Sequence, residues 1–265
     1  MTARATLLLV FQLASAAWVP TQLRFPQSRH PHVRACTSSS ELVHHLSRRL
    51  GCSVLEAQRA EARLGGRNII PHRCGLVCDG LKQRLDLDDT ELKKIVLARP
   101  TVLGLRFDDR VSPALDALQR RLGLSDAELR KVVVRLPTVL GYSVEANLAP
   151  KLTALEARLA LSPEELRKII VAQPSLLGLN FEKNIAPKLD FFMGAISLST
   201  EEVRDRVVRM PAILTYSLAQ RYLPRLQRCL TAGAPPVLVL DRVAYTEERW
   251  NSSVPLNTEA WSWSR

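Results

Sequence analysis

Apolar residues recur along this chain in two alternating helical patterns that share one long period. Leu129, Val132, Val133 and Leu136 fall at i, i+3, i+4 and i+7, which places them on one face of a helix. Leu166, Ile169 and Ile170 repeat the pattern 37 residues later. Leu148, Leu152, Leu155 and Leu159 step by four, three and four, and predict a second helix behind the first. Polar residues punctuate both. Ser125 with Glu128 reads as a capping box that satisfies two backbone donors at a helix start. Ser162 with Glu165 and Ser199 with Glu202 repeat it, and Asp88 with Glu91 is the acidic form. Pro100, Pro137, Pro174 and Pro211 stop the first helices, because proline offers no amide and its ring crowds the preceding turn. Pro113, Pro150, Pro187 and Pro224 follow 13 residues later, where a first-turn proline is tolerated. Between them Gly104, Gly141 and Gly178 allow a tight bend.

The two proline columns, the glutamate column and two leucine columns (Leu103, Leu140, Leu177 and Leu214; Leu115, Leu152, Leu189 and Leu226) stay in phase over four copies without an insertion. One helix pair cannot bury both of its apolar faces, whereas stacked neighbours can. The expected fold is all-α: an α-solenoid of about 37-residue repeats that forms a curved superhelix with a concave face. Residues 85–230 hold the four clear repeats and 41–84 a degenerate first one, in which Ser53 and Glu56 form the cap and Gly65 stands where a proline is expected. The segment 63–74 reads as an irregular connector, and residues 231–265 as a C-terminal tail outside the period.

Composition adds three points. Aromatic residues make up only 5% of the chain, which argues against a β-sandwich. Five cysteines, an odd and scattered set, form no disulfide framework. His72, Cys74 and Cys78 stand close together, but a structural zinc wants four ligands and no second couple exists, so no metal and no cofactor is expected. The net charge of +11 includes four arginines and no acid over residues 1–40, and 24 basic against 18 acidic residues over 81–230. That excess suits a polyanionic partner without proving one.

Residues 1–40 read as an organelle-targeting leader. Arg4 precedes an apolar run to Val19, small residues Ala14–Ala17 lead into Trp18, and an acid-free stretch with arginine, serine and histidine follows. The layout resembles the two-part plastid leader of algae with secondary plastids, with a mitochondrial presequence as the alternative. No stretch reaches the roughly 20 apolar residues of a membrane span.

The repeated unit resembles the mitochondrial transcription termination factor (mTERF) family. The residues that carry this are Glu128, Leu129, Arg130 and Lys131; Pro137, Val139, Leu140 and Gly141; and Asn147, Leu148, Pro150, Lys151 and Leu152. They recur at Glu165–Lys168, Pro174, Leu176–Gly178, Asn184 and Pro187–Leu189. The opening Gly51–Ala57 is similar to the first unit of the plant and algal branch. The resemblance implies two α-helices and a short 3-10 turn per unit, in a protein of mitochondria or plastids. It also implies nucleic-acid binding along a basic groove, acting in transcription termination or initiation, or in RNA maturation. Double-stranded DNA is the favoured partner and RNA the alternative, with the protein a monomer. The chain departs from the pattern in its fourth unit, where Asp205 replaces lysine, Arg206 enters an apolar column and Thr215 replaces glycine. A polar face there suits a capping repeat.

Two basic columns are in phase and are the candidate contacts. One holds Lys93, Arg130, Arg167 and Arg204, with Lys94, Lys131 and Lys168 beside it; the other holds Lys151, Lys188 and Arg225. One cation per unit could track a phosphate backbone. Tyr142 and Tyr216 occupy equivalent turn positions, either to stack on a base or to pack. No Gly-rich phosphate loop and no His/carboxylate pairing at metal spacing is present, so no catalytic residue is assigned and no enzyme is expected. A protein-binding solenoid is the competing reading.

Overall fold

In a computed structural model of the protein, residues 39–65 and 71–255 are described. The leader expected over residues 1–40 lies outside them, except for Ser39 and Ser40 at the start of the first described helix. Every element among the described residues is helical, and none is long and apolar enough to cross a membrane.

Helix α1 (Ser39–Leu50) leads into α2 (Val54–Ala62) and α3 (Pro71–Leu85). Four pairs follow at the sequence period: α4 (Asp89–Ala98) with α5 (Ser112–Leu122), α6 (Asp126–Arg135) with α7 (Ala149–Leu159), α8 (Pro163–Ala172) with α9 (Ala186–Gly194), and α10 (Thr200–Arg209) with α11 (Leu223–Ala232). The chain is an α-solenoid, built as its spacing requires. All five expected capping boxes form; in the second full unit the Ser125 amide donates to Glu128 at 2.8 Å and the Glu128 amide donates to Ser125 Oγ at 3.3 Å. Such a cap is worth about 1 kcal/mol.

Each first helix ends at its proline in a 3-10 turn: Pro100–Gly104, Pro137–Gly141, Pro174–Gly178 and Pro211–Leu214. The second helix does not begin at the later proline. It starts one turn earlier, as a wide π-turn at Phe107–Val111, Val144–Leu148, Phe181–Ile185 and Leu218–Tyr222. A proline ring crowds the carbonyl four residues back in a normal α-turn, and a wider turn before it relieves that contact. After each second helix the chain takes a left-handed residue, at Asp86, Gly123, Ala160, Ser197 and Gly233. Gly51 holds the same place after α1, which makes α1 the equivalent of a second helix at the head of the stack.

Two expectations need correction. Pro71–Cys74 belongs to α3 rather than to a connector. The segment after α11 is also more than a tail. Short helices α12 (Leu238–Asp241) and α13 (Glu247–Ser253) bury Val239, Leu240, Val243, Trp250 and Val254. This apolar set closes the exposed end of the last repeat, where a sixth unit would otherwise stack. It has no 37-residue counterpart, so no period announced it.

Within the stack, first helices pack on first helices from unit to unit, α4 on α6, α6 on α8 and α8 on α10. Each second helix lies against the first helices of the next unit and of the one after it, α3 on α4 and α6, α5 on α6 and α8, and α7 on α8 and α10. The core runs as one apolar seam through every unit, with Leu92, Ile95, Leu129, Val132, Leu166 and Ile169 among its buried residues.

Candidate nucleic-acid interface

The ten cations singled out by phase fall into three groups with different surroundings. The first, Lys93, Arg130, Arg167 and Arg204, faces the preceding unit. Arg130 reaches Glu91 at 2.7 Å, Arg167 reaches Glu128 at 2.8 Å, and Arg204 reaches Glu165 at 3.5 Å. Lys93 completes the series on Glu56 at 3.2 Å. Each of these glutamates also accepts from the amide of its own cap residue. One carboxylate thus closes its own helix start and binds the next repeat. The Glu56 and Glu128 carboxyls sit below the ordinary glutamate range, first because of the Ser53 and Ser125 amides and then because of the neighbouring cation. The column is an inter-repeat ladder, and its charge is already compensated.

The second group follows the later proline and turns inward. Lys151 Nζ donates to the Leu177 carbonyl at 3.1 Å, and Lys188 Nζ donates to the Leu214 carbonyl at 2.6 Å. Both acceptors belong to the 3-10 turn of the following unit. Lys188 is 5% exposed and Arg225 only 2%. With no unit after it, Arg225 takes carbonyls of the closing segment instead, Arg242, Val243 and Tyr245, and pairs with Glu247 at 2.7 Å. Its guanidinium also lies over the Trp250 ring. Lys188 and Arg225 are therefore corrected from candidate phosphate contacts to internal clamps, because no external anion can reach them. In the first full unit this position is Ala114, and a small apolar cavity lined by Ala114, Leu118, Leu140 and Leu148 lies beside it.

The third group is Lys94, Lys131 and Lys168. All three are exposed and make no hydrogen bond or ion pair among the described residues. On α4 the buried residues Leu92, Ile95 and Val96 define the inward face, and Lys94 points the opposite way. Arg59, exposed and likewise unpaired, holds the equivalent place on α2, six residues after the cap Ser53 as Lys94 is after Asp88. Sequence reasoning missed Arg59 because the leading unit is two residues short. The distance from the cap residue would have found it.

A further ladder escaped notice on the second helices. Arg84 pairs with Asp116 at 2.8 Å, Arg121 with Glu156 at 2.6 Å, and Arg158 with Asp190. Arg49 and Asp79 make the same contact at the head of the array. These arginines each stand two residues before a left-handed turn residue, a signal legible in retrospect. Lys151 lies 5.6 Å from the centre of the Tyr142 ring, and Arg221 lies 4.8 Å from that of Tyr216. Each tyrosine is half-buried and has a cation over its ring, which leaves it packed rather than offered to a base. Cys74 and Cys78 face the core, where burial pushes their thiols up to about 12 and about 11, while His72 is exposed.

The matched family fits this architecture. A family model described as mTERF matches residues 80–247, more than half of the chain, running from within α3 to the first residue of α13. No curated protein matches the chain.

Proposed function

The chain belongs to the mTERF family, and on that premise we propose that it binds double-stranded DNA along the strip Arg59, Lys94, Lys131 and Lys168. The family is one of helical-repeat, nucleic-acid-binding proteins of organellar gene expression and is not known for enzymes. What carries the assignment to this strip is an asymmetry. The other repeat-phase cations are held by glutamates or carbonyls of a neighbouring unit or of the closing segment, whereas these four, one per unit, have no partner among the described residues.

Packing supports the choice of face. First helices touch one another directly, while second helices are bridged across units by arginine–carboxylate pairs. In a curved stack the layer with the closer neighbours is the inner one, and the strip projects outward from that layer. The opposite candidate, the π-turn edge, exposes Asp108, Glu145 and Glu182 with Arg110 and Lys183 among them, a mixed-sign surface that lacks one cation per unit. Neighbouring packed helices lie roughly 8–10 Å apart, so four cations span about 27 Å. At about 3.4 Å per base pair that is near eight base pairs, less than one turn of duplex. The role that follows is occupancy of a short DNA site that modulates organellar transcription termination or initiation. The two-part layout of the leader, with small residues Ala14–Ala17 before Trp18, favours the plastid as the compartment.

Titration of the full chain against a labelled duplex of about two helical turns, with single-stranded RNA of equal length as competitor, tests the reading. Duplex binding should weaken with salt along a log–log slope of roughly −3 to −4 for four phosphate contacts. Arg59, Lys94, Lys131 and Lys168→Ala together should abolish that slope. Equal or better competition by RNA would reassign the partner. Salt-independent or absent binding would leave a protein-binding solenoid as the better account.

A further inference from the structure

The basic strip stops at the fourth repeat, and it stops by reversal of sign rather than by simple loss. At the position of Lys94, Lys131 and Lys168, α10 carries Asp205. One turn earlier on the same face the residues are Thr90, Ala127, Glu164 and Glu201. The charge beside the strip thus turns acidic in the third unit and becomes wholly acidic in the fourth. Asp205 and Glu201 are exposed, and neither carboxylate has a partner among the described residues.

The ladder sharpens the change. Glu56, Glu91, Glu128 and Glu165 are each neutralised by a cation of the following unit. Glu202, the capping glutamate of the fourth unit, has no following unit and remains exposed, held by Ser199 within its own cap and by Arg206 of its own helix through charge alone. The arginines that could offset these charges are turned to other work: Arg206 lies toward Asp241 at 3.7 Å and donates to the Glu202 carbonyl, and Arg209 donates to the Asp205 carbonyl.

We propose that Asp205, with Glu201 and Glu202 beside it, is an electrostatic end-stop that confines the duplex to the leading unit and the first three repeats. This rests on the strip reading above and deepens it. Like charges a few ångströms from a phosphate raise the free energy of that register, whereas a neutral residue would leave the backbone free to run on over the last unit. The fourth repeat therefore sets where along the solenoid the nucleic acid ends and in which register it lies. It also leaves α10 free of DNA.

Three full-length proteins test this on one duplex: wild type, Asp205→Lys, and Glu182→Lys as a control with the same charge change on the π-turn edge. Salt series and hydroxyl-radical footprints are read for each. Asp205→Lys should steepen the salt slope by about 1 and lengthen the footprint by about three base pairs, one more repeat at roughly 8–10 Å per unit. Glu182→Lys should do neither. An Asp205→Lys protein that matches Glu182→Lys in slope and footprint overturns the end-stop while leaving the strip intact. A wild-type protein with no salt-dependent duplex binding removes the strip reading and the end-stop with it.

Discussion

Lys93 and Lys94 are neighbours in the chain and opposites in the fold, and so are Arg130 and Lys131, and Arg167 and Lys168. The first of each pair turns to the preceding repeat and ends on its capping glutamate; the second turns away and has no hydrogen-bond or ionic partner among the described residues. Residue choice follows the split. The ladder uses arginine in three of its four places, where a planar fork can hold a carboxylate in fixed geometry. The free strip uses lysine in three of four, a compact charge on a flexible stem that can follow a mobile phosphate. Periodic charge in a repeat protein therefore carries two meanings, cohesion between units and contact with a partner, and a step of one residue separates them.

The sharpest way to break the comparison is to remove a cation of each kind and watch stability. Arg225→Ala leaves the carbonyls of Arg242, Val243 and Tyr245 and the Glu247 carboxylate without their donor. It should destabilise the protein by about 3 kcal/mol, read by urea denaturation. Lys131→Ala should change stability by less than about 0.5 kcal/mol.

A smaller effect is expected in the ladder. Glu128→Ala removes both a cap and a bridge between units, and should cost about 1–2 kcal/mol. Arg167→Ala removes only the bridge and should cost less than about 1 kcal/mol. Near-additive losses in the double variant would show that the two side chains do not act together.

Smaller again is the acid response. The Ser125 amide, and after it Arg167, hold the Glu128 carboxyl below the ordinary 4.5. A depressed folded value means the carboxylate stabilises the fold above that pH, and the contribution is lost as pH falls through the lower folded value. Tm should decline below about pH 4.5, and Glu128→Gln should flatten part of that decline.

Much of the fold could be read from the chain because its determinants are local. Capping boxes four residues long, apolar faces within one helix and prolines at fixed phase all act within a single unit. The candidate site was legible only in part. Arg130 meets Glu91 39 residues away, and Lys188 meets the Leu214 carbonyl 26 residues away. Those meetings depend on how units stack, which no spacing within a unit reveals. Lys188 and Arg225 shared a phase with half-buried Lys151 and looked equally available, yet the closure of the next turn, and of α12 and α13, covers them. The closing segment itself occurs once, so periodicity had nothing to say about it.

The central claim is that the free strip, and not the ladder, meets the nucleic acid. The direct test is the salt dependence of duplex binding for two multiple variants of the full chain, Arg59, Lys94, Lys131 and Lys168→Ala against Lys93, Arg130 and Arg167→Ala. The strip variant should keep the wild-type Tm and lose a slope of roughly 3 to 4. The ladder variant should lower Tm and keep the slope. An unchanged slope in the strip variant, or an equal loss in both, would contradict the account.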